Sequence, residues 1–344
     1  MRLTLGLVAR SVRAHDWWDY KLVAIMELFA ATALVLRVPL APFWPSALLL
    51  LLALTAGAVF ASMVNDIFDL PDDLAGGKRN AVLRLPRAVP ALVIAAAAAI
   101  GIVIAWRWRD EPLLSLVYVA AWLAFVAYSA PPLRLKKRGG WGVLAMGIGE
   151  AALPSLVAAL LCTRAAAAPI DPLWMTTVGV WGLCHGLRAI LWHQLGDREP
   201  DAQAAVDTFV NRRGAAFVRG FARRWLFPLE LAALAAMLVQ MGSVLPFLGL
   251  ALYLAAIPLR MRLWNNVPVV VDPVRDHYLL LQDFYLCHLP LTILLACTLR
   301  HLPDALALLV FLLLFPRAPL RVAFDALRLA LAIRGEIIAR GRSA

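Results

Sequence analysis

Two acidic clusters mark where this chain could carry out chemistry. The first is NDIFDLPDD, residues 65–73. At ~100° per residue on a helix, Asn65, Asp66, Asp69 and Asp73 fall within about a 100° arc. Three carboxylates and an amide then face one way. Like charges this close repel, and a divalent cation relieves the repulsion. Mg2+ takes hard oxygen ligands and tends to arrive with substrate phosphates and waters. The second cluster is HQLGDREPD, residues 193–201. Its Asp197 and Asp201 are four apart and share a helical face with His193. Two such sites opposed across a cavity could hold two metal ions with a diphosphate between them. A lone D-x-x-x-D at a helix end is usually a solvated loop start. The Asn-Asp opening, the extra spaced Asp and the repetition of the cluster argue for function here.

Basic residues of the right kind follow the fourth span and the first acidic stretch. The loop YSAPPLRLKKRGG, residues 128–140, ends a helix at Pro131 and Pro132 and then presents Arg134, Lys136, Lys137 and Arg138. Membrane anchoring explains Lys137 and Arg138 equally well. Arg134 and Lys136, with Lys78 and Arg79 just beyond Asp73, are candidate diphosphate ligands: Arg as a bidentate fork, Lys as a point charge.

The elements that must position these groups are membrane helices. Hydrophobic residues make up 62% of 344 and the mean hydropathy is +0.78, against about 45–50% apolar in soluble domains. A bilayer crossing needs about 20 apolar residues, and ten candidates occur, roughly at 22–38, 44–65, 88–106, 112–130, 141–162, 172–194, 225–241, 243–260, 284–300 and 303–317. A cytoplasmic N-terminus puts 28 of the 33 Lys and Arg residues on the cytoplasmic side, leaving Arg37, Arg107, Arg109, Arg164 and Arg300 opposite. A miscounted span would invert everything downstream, so this asymmetry supports both termini inside. The net charge of +11 belongs to these loops and to anionic lipid, not to nucleic acid, for which there is no motif or basic face.

The first twenty residues lack the apolar core of a cleaved signal and look interfacial, with Trp17, Trp18 and Tyr20 at headgroup depth. The tail after Arg317 repeats Arg among Leu, Ala and Ile and is expected to form an amphipathic helix on the membrane surface. Residues 1–317 read as one transmembrane domain of two pseudo-repeated four-helix units, about 22–130 and 141–260, and 318–344 as the tail. Each unit would bring one Asp cluster to a shared cytoplasmic cavity. The four cysteines form no C-x-x-C pair and lie in or beside apolar runs, so neither a disulfide framework nor a zinc site is expected.

These pieces together resemble the UbiA-type intramembrane prenyltransferase superfamily, over about residues 20–300. Asn65, Asp66, Asp69 and Asp73 match its N-D-x-x-D-x-x-x-D motif, Asp197 and Asp201 its D-x-x-x-D motif, and Tyr128 to Gly139 its YSxPPxRLKxRG loop. The resemblance implies an all-helical membrane bundle, usually of nine spans, and transfer of a prenyl chain from a prenyl diphosphate. It also implies Mg2+ held through the Asp motifs. The chain departs from the pattern in three places. His193-Gln194 replaces a common Lys-Asp, GKRN at 77–80 replaces a common Arg-Pro, and 261–283 is unusually polar.

The expected chemistry follows from the resemblance. Asp66, Asp69, Asp73, Asp197 and Asp201 would hold the metal, and Asn65 would ligand or orient the diphosphate. Lys78, Arg79, Arg134 and Lys136 would neutralise the leaving group. Tyr128, then Trp192, are candidates to stabilise positive charge on the prenyl carbon, worth about 0.5–2 kcal/mol. His193 is a candidate base, whereas His185 reads as a packed, hydrogen-bonded core histidine. The acceptor is expected to be a small aromatic or quinone-type molecule, and the enzyme to sit in a bacterial inner membrane. A terpene cyclase on the same scaffold is the nearest alternative. A cation-coupled transporter is disfavoured, because transporters place acids near the bilayer midplane.

Overall fold

The computed structural model describes residues 10–75, 77, 80–203 and 206–341; Lys78 and Arg79 therefore lie outside the described residues. Helix α1 is one continuous run: Ala14–Trp17, a π-helical turn Trp18–Leu22, and Val23–Leu36. Next come α2 (Trp44–Ala75), α3 (Ala88–Arg107) and α4 (Pro112–Ser129). Helix α5 joins Gly140–Gly147, a π-turn Ile148–Ala152 and Leu153–Ala165. Helix α6 is Pro172–Gly196, followed by the short α7 (Arg198–Gln203) and α8 (Phe209–Arg213). Helix α9 joins Ala215–Phe221, a π-turn Ala222–Leu226 and Phe227–Met241, and α10 is Leu245–Trp264. Two three-residue strands, β1 (Val267–Val269) and β2 (His277–Leu279), pair in parallel with Val267 opposite His277. Helix α11 (Phe284–His288 as a π-turn, then Leu289–Arg300), α12 (Ala305–Leu314) and α13 (Arg317–Gly341) complete the chain.

All ten apolar segments expected from the sequence are helical. Among the described residues six helices, α2, α3, α4, α5, α9 and α10, are each long and apolar enough to cross a bilayer. Helix α12 and the start of α13 would make a seventh only as a pair bent by 84°. The helices that fall short are instructive. Helix α11 is too short, while α1 carries Asp19, Lys21 and Glu27, and α6 carries His185, Arg188 and His193. Helix α1 is almost wholly buried, with Ala24, Leu28, Ala30, Ala31, Ala33 and Leu34 packed against α5 and α11. An interior helix meets protein rather than lipid, so polar side chains there can find partners, as Lys21 does in Glu150, although neither Glu27 carboxylate oxygen has a hydrogen-bond partner among the described residues. Helices α3, α4 and α10 do the opposite, leaving Ile102, Val103, Leu116, Leu123, Leu248 and Leu252 exposed. Apolar exposure on this scale fits a hydrocarbon surround.

Local chemistry sets the element ends. Asp171 caps α6 by accepting from the Leu173 and Trp174 amides, with Pro172 at the first helical position. The buried Asp304 carboxylate accepts from the Leu40 and Ala41 amides and fixes the α1–α2 turn. That end of the bundle also carries Arg300, donating to the Leu34 and Gly242 carbonyls, and the Arg164–Glu111 pair. Three of the arginines assigned to the side away from the motifs sit at such positions or beside them: Arg37, Arg164 and Arg300. The polar stretch 261–283 folds as a cap containing β1 and β2. Fully buried Arg188 ties it down, pairing with Glu230 at 2.6 Å and donating to the Leu280 carbonyl at 2.7 Å. Tyr285 adds its hydroxyl to Glu230 at 2.9 Å.

Candidate active site

Helix α2 delivers the first motif at its C-terminal end, and each carboxylate meets a partner there. Arg13 Nη1 donates to Asp66 Oδ1 at 3.3 Å. The Lys136 ammonium pairs with Asp69, and Arg134 Nη2 lies 3.8 Å from the same oxygen. Asn80 Nδ2 donates to Asp73 Oδ2 at 2.8 Å and to the Asp66 carbonyl at 2.7 Å. Asn65 accepts a hydrogen bond from Ser129 at 3.2 Å, which joins α2 to the end of α4. Pro71 lies inside α2 and supplies no amide, and one turn earlier the Phe68 carbonyl accepts from Arg134 Nη2 at 2.5 Å.

The basic loop is built to press against this helix. Arg134 has a left-handed backbone at φ 39°, a costly conformation for a side-chain-bearing residue. Leu135–Lys137 then form a 3-10 turn. Gly142 packs beneath that turn, and Gly139 needs its positive φ of 58° where the Arg212 side chain crosses it. The Gly139 amide donates to the Asp207 carbonyl, and Gly139 and Thr208 form a backbone bridge. Arg212 in turn pairs with Asp207 at 2.5 Å, which holds the Asp207 carboxyl below its usual range. The basic loop and the chain just past the second motif are thus one unit.

The second motif straddles the α6–α7 junction. The Asp197 amide bonds to the His193 carbonyl and the Asp201 amide to the Asp197 carbonyl, both at 2.9 Å, so helical register survives the junction. Lys136 pairs with the first motif and lies within the field of the second. Burial lowers its ammonium to about 8 and neighbouring Lys137 adds to this, while Asp66 of the first motif and Asp201 of the second both oppose it. Tyr128 also lies within the field of Asp201. Asn65, Asp66, Asp69, Asp73, Tyr128, Arg134, Lys136 and Asp201 therefore gather at one end of the bundle, with Asp197 one turn before Asp201. Trp192 instead packs on the apolar cluster around Cys184, Leu191 and Val210. His185 is packed as expected, its ring stacked on Trp181 at 5.2 Å, but its Nδ1 has no hydrogen-bond partner among the described residues.

Several site residues escaped the sequence reading. Asp72 accepts from Arg134 at 3.0 Å and Lys137 at 2.9 Å, so Lys137 also has a site contact. Arg13 and Asn80 contact the first motif across 53 and 14 residues of chain. Beside the motifs opens an apolar cleft of about 100 Å³, lined by Ile25, Gly57, Tyr118, Trp122 and Phe125 among others. A Lys21–Glu150 ion pair stands in its wall. Lys21 and Glu150 each sit in a π-helical turn, Trp18–Leu22 and Ile148–Ala152, a device that re-aims one residue without ending the helix. The first of these turns could not be found from spacing, because the helix runs straight through it.

The donor set fits Mg2+ in kind: the motif side chains offer carboxylate and amide oxygens, with no thiolate. Among the described residues no three acidic, His or Cys side chains are already gathered to hold an ion. Cations occupy that role in the first motif, through Arg13, Arg134 and Lys136.

Three solved structures share this fold. A UbiA homolog from Archaeoglobus fulgidus bound to GPP and Mg2+ aligns with a TM-score of 0.57 at 14% identity, covering 87% of this chain and 99% of that one. The homolog bound to DMAPP and Mg2+ gives 0.55 at 14% identity, with 87% and 99% covered. A further structure of a UbiA homolog from the same organism gives 0.52 at 16% identity, with 90% and 99% covered. No curated protein matches the chain. A sequence model of the UbiA prenyltransferase family matches residues 27–270, which span α2 through α10 and both Asp motifs. The chain belongs to the UbiA prenyltransferase family and is a multi-pass membrane protein.

Proposed function

We propose that the protein transfers a prenyl group from a prenyl diphosphate to a small aromatic or quinone-type acceptor, with Mg2+ at the Asp motifs. The observation that carries this reading is Lys136, paired with Asp69 of the first motif and within the field of Asp201 of the second, with an apolar cleft opening beside the same end of the bundle. A diphosphate needs cations and metal-binding carboxylates side by side, and its prenyl chain needs a dry channel. The structures bound to GPP and DMAPP with Mg2+ share the fold and support the donor class.

In this reading Asp66, Asp69, Asp73, Asp197 and Asp201 hold Mg2+, which supplies charge neutralisation at the leaving diphosphate. Arg134 and Lys136, with Lys78 and Arg79, bind the diphosphate oxygens, and Asn65 orients them. The cleft keeps water from the allylic carbon, and Tyr128 faces the developing positive charge. The acceptor attacks that carbon, the C–O bond to diphosphate breaks with its electron pair leaving on oxygen, and the acceptor loses a proton. The motif end of the bundle faces the cytoplasm of a bacterial inner membrane, following the Lys and Arg distribution. Helices α1, α6 and α11 cross as interior spans, giving nine or ten, eight of them in the two four-helix units and the rest after residue 260, and α13 lies amphipathic on the surface with Leu320, Phe324, Leu327 and Leu331 toward lipid.

The test is transfer by protein purified in detergent. Asp69→Ala and Asp197→Ala should each abolish product formation while the variants elute and unfold like wild type. Undiminished turnover after chelation of Mg2+ would overturn the scheme.

A further inference from the structure

Asp66 sits at the centre of the first motif and is nearly buried, yet its partner in this structure is an arginine from outside the motifs altogether. Arg13 reaches Asp66 Oδ1 at 3.3 Å from the residue that precedes α1. Its side chain is 48% exposed, against 7% for Asp66. The guanidinium has a second anchor: Nε donates to Asp16 Oδ2 at 3.1 Å. Arg13 also holds a left-handed backbone, φ 55°, as Arg134 does at φ 39°. Both arginines that reach the first motif are thus presented from backbone conformations that side chains rarely adopt. Strain of that kind persists where surrounding contacts over-determine it.

From these contacts we infer that Arg13 is a diphosphate-binding residue that occupies the metal's carboxylate until substrate arrives. The inference rests on the prenyl diphosphate reading above. In the ligand-free site Arg13 neutralises Asp66, as Lys136 neutralises Asp69. A free divalent ion must compete with these tethered cations, so Mg2+ alone binds weakly. A diphosphate offers the guanidinium a better partner: more charge and paired oxygens in the geometry a guanidinium matches. Arg13 then turns from Asp66 to the diphosphate while Asp16 keeps its Nε oriented, and Asp66 is released to the metal. Metal and diphosphate bind as a coupled pair, because each removes the other's obstacle. The exchange also avoids leaving Asp66, a nearly buried carboxylate, without a counter-charge at any stage.

The inference gives opposite signs for two ligands, which loss of structure would not. Calorimetry on detergent-purified protein would use Mg2+ alone, and then inorganic pyrophosphate at saturating Mg2+. Arg13→Met should bind Mg2+ alone roughly two- to fivefold more tightly, the range for removing a half-exposed ion pair. The same variant should bind pyrophosphate at least about tenfold more weakly, as expected for losing a charge-assisted contact. Arg13→Lys should lie between, and thermal unfolding of both variants should match wild type. If Arg13→Met weakens or leaves unchanged the binding of Mg2+ alone, or leaves pyrophosphate binding intact, Arg13 is not the exchanging group, although the diphosphate reading stands. If wild type binds no pyrophosphate at any Mg2+ concentration, both readings fall.

Discussion

A Cβ placed on Gly142 would lie 2.8 Å from the Cα of Lys136 and 2.7 Å from the Leu135 carbonyl oxygen. Helix α5 therefore begins in direct contact with the backbone that carries the lysine between the two motifs. Neither obstacle is the tip of a flexible side chain, so even a methyl group must displace main chain. Gly142→Ala should shift Lys136 away from Asp69 while sparing the rest of the bundle. The expected result is a rise in KM for prenyl diphosphate of about tenfold, equivalent to ~1.4 kcal/mol, with Mg2+ still required. Steady-state kinetics with an unchanged unfolding midpoint would check it, and wild-type KM would show that the loop position is immaterial.

Neighbouring Asp72 and Asp73 are expected to play different parts. Asp73 belongs to the motif and is held by Asn80. Asp72 grips Arg134 and Lys137 of the basic loop. Asp72→Asn should free these cations and raise KM for the prenyl diphosphate, leaving the Mg2+ concentration at half-maximal rate near wild type. Asp73→Asn should raise that Mg2+ requirement severalfold. Titrating Mg2+ at fixed substrate for both variants separates the roles, and identical Mg2+ curves would refute the division.

Much of the site was legible because its chemistry is written in local spacing. Asp66, Asp69 and Asp73 recur on one helical face, and Arg134 and Lys136 follow a proline pair that stops a helix, so both patterns survive without knowledge of the fold. What the sequence hid comes from elsewhere in the chain. Arg13 is one arginine among several near the N-terminus, and only the packing of α1 against the bundle brings it to Asp66. Asn80 lies inside the GKRN stretch that departs from the family pattern, yet its bond to Asp73 depends on the turn that follows α2. Helices were found wherever apolar runs occurred, but whether a helix faces lipid or protein was not visible. Arg188 on α6 and Glu230 on α9 look like breaches of a span until they are seen to pair.

The cleft should set donor length. Gly57 lines it, and a Cβ there would meet nothing within 4 Å. Gly57→Leu should therefore fold normally while filling space that a longer prenyl chain would use. Each methylene denied burial forfeits about 0.8 kcal/mol, so kcat/KM should fall at least about tenfold for donors longer than geranyl diphosphate and little for dimethylallyl diphosphate. Product analysis with a series of donors checks this. A uniform loss across all lengths would place the chain elsewhere.

Arg188 and Glu230 are both fully buried, and they join α6, α9 and the cap through one bidentate pair. Removing one partner leaves an uncompensated charge in a site that cannot hydrate it, a cost of about 3–5 kcal/mol. Arg188→Met should therefore lower the unfolding midpoint sharply. It should also loosen the cap, since Arg188 is the donor to the Leu280 carbonyl. Limited proteolysis should then cut near the exposed Val274, Arg275 and Asp276 faster than in wild type. The double variant Arg188→Met, Glu230→Met carries no stranded charge and should recover much of the lost stability, because two apolar side chains can fill the space of the pair. It should not restore protection of the cap, whose hydrogen bond to Leu280 is still missing. Stability and cap protection recovering together would mean that the charge, rather than the hydrogen bond, holds the cap in place.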